Sequence, residues 1–206
     1  MRLIPLLALL MVLPAAAQDT RVYVGSGVGF TAGPGDVVDW WQRGPTFDVA
    51  LGRRFADRFE VTAGLGYVSL PLSRDKLLAV GADIDISGGE YTVTSFQAGL
   101  RLEFERGTFF RPYLHVGVGL HSVSIKELLL TVNNPEDVCP GQPTCVFTFA
   151  PATREDETVP GLRLGAGVAW YLSDTVWLYA EPSYHIILAE ERTGLVPFRL
   201  GVASAF

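Results

Sequence analysis

From residue 21 onward the chain alternates. Apolar residues recur on every second position, with glycine or polar residues between them, and a period of two is the signature of strands with one apolar face. Segment 21–30 sets Val22, Val24, Val28 and Phe30 against Tyr23, Gly25, Gly27 and Gly29. Segment 46–55 sets Phe47, Val49 and Leu51 against Asp48, Ala50 and Gly52, and segment 58–68 sets Phe59, Val61, Ala63, Leu65 and Tyr67 against Glu60, Thr62, Gly64 and Gly66. Segment 91–105 sets Phe96, Ala98, Leu100, Leu102 and Phe104 against Gln97, Gly99, Arg101 and Glu103. In segment 110–124 Leu114, Val116, Val118 and Leu120 oppose Tyr113, His115, Gly117, Gly119 and His121. Segments 159–172 and 175–187 continue with Leu162, Leu164, Ala166, Val168 and Trp170, then Val176, Leu178 and Ala180. The closing segment sets Phe198, Leu200, Val202 and Phe206 against Arg199, Gly201, Ala203 and Ala205. The pattern predicts eight strands.

The connections are unequal. Tight turns centred on "ADR", "RGT" and "SDT" follow strands two, four and six, whereas long gaps of roughly 31–45, 69–90 and 125–158 follow strands one, three and five. Tight turns at one end and long loops at the other are the asymmetry of a transmembrane β-barrel, with the tight turns on the periplasmic side. The expected fold is all-β, an eight-stranded antiparallel up-and-down transmembrane barrel. An even strand count brings both ends of the barrel segment to the tight-turn side.

In such a barrel the apolar face meets lipid and the interior is mixed. The opposite face here is dominated by glycine, which weakens a strand but leaves room inside a narrow barrel. It also carries Asp48, Glu60, Arg101, Glu103, Arg163, Glu181 and Arg199. Buried charges persist when paired, and counting from the tight turns places Glu181 level with Arg199, and Glu60 level with Arg101. Interior ion pairs are expected. Aromatic residues gather near strand ends, as interfacial belts do: Phe55, Phe59, Phe104, Phe109, Phe110, Trp170 and Trp177 at the tight-turn end, and Phe30, Trp40, Trp41, Tyr67 and Tyr91 at the other.

The N-terminus adds a second signal. "MRLIPLLALLMVLPAAAQD" has one basic residue, an apolar run bracketed by Pro5 and Pro14, then Ala15–Ala17. That is the layout of a secretory signal peptide over residues 1–17 with cleavage before Gln18, leaving residues 18–206 as one barrel domain. The run is too short for a helical span. Export makes Cys139 and Cys145 in "CPGQPTC" a candidate disulfide; they lack the further ligands a metal site needs. The 206 residues carry a net charge of −6 and three histidines, which argues against nucleic acid.

The chain resembles the small outer-membrane β-barrel proteins of Gram-negative bacteria, the OmpA/OmpX-like group, through "VYVGSGVGF", "FEVTAGLGYVSL", "RPYLHVGVGL", "LRLGAGVAWYLSD" and "VPFRLGVASAF". The resemblance implies that Phe198, Leu200, Val202 and Phe206 form the C-terminal signal read by the barrel-insertion machinery, with Ser204 interrupting the outward row. It implies a monomer embedded in outer-membrane lipid and lipopolysaccharide, with long extracellular loops available to a surface ligand.

Three kinds of chemistry compete with a structural or surface-contact role. "GSGVGF" invites a phosphate loop, but no helix follows it and Gly-x-Gly recurs throughout. A lipid A-modifying enzyme needs a nucleophile and a base in contact. Ser122 beside His121, and Ser183 near His185, are the candidates; adjacent strand residues point to opposite faces, which weakens the first pair. Glu181 is the one carboxylate available to orient His185. A narrow pore is the third reading, although eight strands normally enclose a filled interior. No catalytic residue, metal or cofactor is assigned.

Overall fold

The computed structural model describes residues 20–32, 41–73, 84–104, 109–126, 128–133, 144–149, 157–188 and 193–206. Its strands are β1 (Thr20–Ala32), β2 (Gly44–Arg54), β3 (Phe59–Pro71), β4 (Ile84–Gly88), β5 (Glu90–Glu103), β6 (Phe110–Ile125), β7 (Leu128–Asn133), β8 (Thr144–Phe149), β9 (Glu157–Tyr171), β10 (Val176–Ile187) and β11 (Thr193–Ala205). Eight of them close into an antiparallel barrel in the order β1-β11-β10-β9-β6-β5-β3-β2. The closing pair runs from Arg21 opposite Ala205 to Ala32 opposite Gly194. Closure pairs the backbone groups that a sheet edge would leave exposed to lipid.

The other three strands correct the sequence reading, which assigned 69–90 and 125–158 to loops. There β4 pairs with β7 and β7 with β8, forming a separate antiparallel sheet at the long-loop end. Its strands, "IDISG", "LLLTVN" and "TCVFTF", have the β-branched and aromatic composition that suits a pleated surface. They escape the eight-strand count because they are short and lie outside the long barrel repeats. Gly88 and Gly89 take φ of 81° and 68° where β4 turns into β5, a left-handed corner that a side chain would strain. Of the expected Cys139–Cys145 disulfide, Cys145 lies in β8 but Cys139 is outside the described residues, as is the signal peptide over 1–17.

Alternation sets the two faces. On the wall, Leu51, Leu65 and Val118 are 57%, 62% and 60% exposed, as befits side chains that meet acyl chains instead of a protein core. The inward face is lined by long charged and aromatic side chains, and glycine is the socket on which several of them lie. A Cβ at Gly201 would come within 2.5 Å of the Tyr179 ring, and one at Gly161 within 2.6 Å of His121. Gly52 and Gly167 give the same clearance to Glu60 and Tyr113. Two aromatic assignments also change. Trp177 and Tyr91 point into the barrel, fully and almost fully buried, because each shares the phase of its strand's inward row; Trp41 packs against the buried cluster around Tyr91. Phe55, Phe59, Phe104, Phe109, Phe110 and Trp170 remain outside at the tight-turn end, where Phe110 stacks on Trp170 at 5.5 Å.

Candidate functional site

The lumen is built in three levels. Nearest the tight turns, Arg21 of β1 donates to Glu60 of β3 and to Glu103 of β5, both at 2.9 Å. Arg54 at the end of β2 donates to the other oxygen of Glu103 at 2.7 Å, and Arg111 of β6 lies 3.9 Å from that oxygen. Tyr23 donates to Glu60 at 2.7 Å. Arg101 lies over the Tyr113 ring, 3.6 Å from its centre. Trp177 closes this level, stacked on Tyr171 at 5.1 Å and set edge-on to Tyr23.

Glu181 is the hub of the middle level. Arg163 of β9 and Arg199 of β11 both donate to its Oε1, the latter at 2.6 Å, and Tyr113 donates to Oε2 at 3.0 Å. His115 approaches the same oxygen at 3.6 Å and shares a hydrogen bond with Thr62 at 2.9 Å. Arg199 lies 3.6 Å from Asp48, which also accepts from Tyr179. Two cavities of about 30 Å³ each remain among these side chains, space for a water or two.

Above the hub the fixed protons decide the chemistry of the serine–histidine pair. Arg163 donates to Gln97 Oε1 at 2.9 Å, which orients the amide so that its Nε2 faces His185 Nδ1 at 3.1 Å. With Nδ1 accepting, the imidazole proton sits on Nε2, which lies 3.1 Å from Ser183 Oγ. Arg199 donates to that Oγ at 2.9 Å. The hydroxyl is therefore an acceptor twice over, and the imidazole is not placed to take its proton. Ser183 and His185 are moreover 3% and 4% exposed. The other pair divides between faces: His121 is buried, packed edge-on to His185 at 6.0 Å, while Ser122 is only half-buried on the opposite phase.

The third level is apolar. Val68, Leu70, Tyr91, Val93, Val159, Ile187 and Leu195 form one buried cluster across the long-loop end, with Trp41, Val123 and Ile125 packed on it. Among the described residues the lumen is thus filled by apolar packing at one end and by a charged network at the other.

Each charged residue expected inside lies inside. Arg199 and Glu181 stand opposite each other in register and bond. Glu60 and Arg101 also stand opposite each other, but Glu60 bonds to Arg21 and Tyr23 while Arg101 stacks on Tyr113. The closest carboxylate contact of Arg101 is Glu103 at 3.7 Å, so this expected pair is a change of partners. Arg163 and Asp48 join through Arg199 and Glu181. The sequence reading passed over Arg21, Arg54 and Arg111, which sit at strand ends where a repeat is hardest to count; the phase of Tyr23, Gly52 and Tyr113 places them on the inward face. Outside, Phe198, Leu200 and Val202 face lipid, and Phe206 is 76% exposed at the rim.

Solved barrels share this architecture. The chain is similar to Neisserial surface protein A, at 14% identity over 91% of this chain and 97% of that one with a TM-score of 0.56. The outer membrane protein OprG of Pseudomonas aeruginosa matches at 13% identity over 92% and 96%, TM-score 0.55. Ail, the attachment invasion locus protein of Yersinia pestis, matches at 12% identity over 92% and 99%, TM-score 0.52. No curated protein matches the chain. The sequence profile of the outer membrane protein beta-barrel domain matches residues 3–199. With the closed eight-stranded barrel and its lipid-facing wall, that match makes this chain a member of the outer membrane β-barrel protein family.

Proposed function

We propose that the protein is a sealed, non-enzymatic barrel of a Gram-negative outer membrane, exported by the signal peptide over 1–17, which acts through structure and surface contact. One observation carries this reading: among the described residues the lumen holds only water-sized cavities and is otherwise filled, by the ion network around Glu103 and Glu181 and by the apolar cluster around Leu70 and Leu195. A filled lumen leaves the outside of the molecule as its working part, and the sheet of β4, β7 and β8 gives the long-loop end an ordered platform for a ligand. Outer-membrane lipid and lipopolysaccharide surround the wall. The outward row Phe198, Leu200, Val202 and Phe206 serves the insertion machinery, and the barrel works as a monomer.

Single-channel recording in planar bilayers tests the reading: no steady conductance is expected, and a steady one would establish the pore instead. Lipid A mass spectra with and without the gene are expected to match, and an acyl-chain change abolished by His185→Ala would overturn the non-enzymatic role. The platform is tested by deleting residues 128–149. The barrel should still fold and keep its heat-modifiable mobility, because β7 and β8 pair with each other and with β4 rather than with barrel strands.

A further inference from the structure

The charge balance of the lumen is uneven along its axis. In the middle level, among the described residues, Arg163 and Arg199 meet Asp48 and Glu181, two against two. At the tight-turn end, among the described residues that face inward, four guanidiniums, Arg21, Arg54, Arg101 and Arg111, converge on two carboxylates, Glu60 and Glu103, while Asp57 and Asp174 stand exposed in the turns. Glu103 cannot neutralise them all. One of its oxygens takes Arg21 at 2.9 Å with Arg101 at 3.7 Å, and the other takes Arg54 at 2.7 Å with Arg111 at 3.9 Å.

The four arginines differ in how far a group arriving from outside could reach them. Arg21 bridges both carboxylates and Arg101 is packed between the Tyr23 and Tyr113 rings, their side chains 4% and 3% exposed. Arg54 and Arg111 are the outer pair, with side chains 13% and 18% exposed. Arg54 makes one hydrogen bond. Arg111 lies flat on Tyr171, 3.9 Å from the ring centre, and its Nε, like those of Arg21 and Arg101, is buried without a hydrogen-bond partner. A guanidinium has five donors, so this mouth holds surplus donors and surplus positive charge inside low-dielectric walls, which strengthen its field.

We propose that Arg54 and Arg111 bind a phosphate-class oxyanion at the periplasmic mouth of the barrel. Guanidinium forks match the oxygens of a tetrahedral oxyanion, two per fork. A phosphomonoester or inorganic phosphate carries about −1.5 to −2 charge near neutral pH, comparable to the excess among these inward residues. The bound group spans the two arginines, completes the coordination that Glu103 leaves open, and anchors the barrel to a phosphorylated solute or to a headgroup of the periplasmic leaflet. This site lies at the opposite end from the surface platform and stands independently of the role proposed for it.

The test uses the full mature chain folded in dodecyl maltoside, a detergent without phosphate. Inorganic phosphate is titrated against sodium chloride at constant ionic strength, following the unfolding temperature and the phosphorus NMR line width. A saturable rise in unfolding temperature with line broadening is expected. Arg111→Gln should raise the half-saturating concentration about tenfold, the loss of one charge-assisted contact, and Arg111→Lys should fall between. Arg43→Gln, in an exposed turn at the other end, should behave as wild type. Micelles doped with phosphatidylglycerol distinguish the source: a response to lipid without one to free phosphate assigns the headgroup. A response that follows ionic strength alone, or one identical in wild type and in both Arg111 variants, overturns the proposal.

Discussion

The two ends of the lumen solve the same problem by opposite means. At the long-loop end Leu70, Ile187 and Leu195, each no more than 1% exposed, exclude water by apolar packing. At the tight-turn end an equally buried layer is made of arginine, glutamate, tyrosine and tryptophan. The apolar plug is stabilised by each contact separately, and its cost under mutation scales with the volume removed. The charged layer is stable only as a set, because each ion is acceptable in a low dielectric while its partners hold it. One end tolerates trimming, and the other fails when a single hub is lost.

In the middle level, built on the same principle, Glu181→Gln should show this most strongly. The substitution keeps the shape but leaves Arg163 and Arg199 facing each other without their shared carboxylate, a loss of about 3–5 kcal/mol by urea unfolding in micelles; a loss under about 1 kcal/mol would mean that the network is not cooperative. Leu70→Ala should cost about 2–4 kcal/mol, with a value unchanged between low and high salt. Salt dependence there would show that the plug and the ion network are coupled. Tyr113→Phe preserves the ring over Arg101 and removes only the hydrogen bond to Glu181, so a loss of about 1.5–3 kcal/mol is expected.

The smallest effect lies outside both levels. At the long-loop rim Glu90 accepts hydrogen bonds from Lys126 and Ser69, and those bonds hold its carboxyl below the usual carboxylate range. A lowered value in the folded protein means that the contribution is present above the unfolded value and is lost as pH falls through the folded one. Hydrogen exchange at the β3–β5 rim should therefore quicken on acidification below the usual carboxylate range. Glu90→Gln should remove that dependence without changing the exchange of the middle level.

Much of this was legible in the chain. The period of two fixed the eight barrel strands to within a few residues, and the phase separated Leu65 from Glu60 and Leu200 from Arg199. The pairing of Glu181 with Arg199 was readable because β10 begins and β11 ends level at the tight-turn end, with Val176 opposite Ser204, so counting from that end gives register. Glu60 and Arg101 obeyed the same count, yet their side chains chose other partners, since a long side chain in a narrow lumen reaches across the barrel as easily as along the wall. Arg21 reaches Glu103 across 82 residues of sequence, and no local count finds such a pair. The sheet of β4, β7 and β8 was obscured for a related reason: short strands that pair only with one another carry no repeat long enough to separate them from a loop.

The sequence by itself determined the wall: strand number, the lipid-facing row, and which residues turn inward, because side-chain direction follows from backbone alternation. Only the tertiary structure decided what the inward residues do. Closure of β1 on β11 brings eight faces around one axis, and the distances across that axis select which arginine meets which carboxylate. The same closure fixes the proton of His185 towards Ser183, and leaves Arg54 and Arg111 with more positive charge than Glu103 can balance.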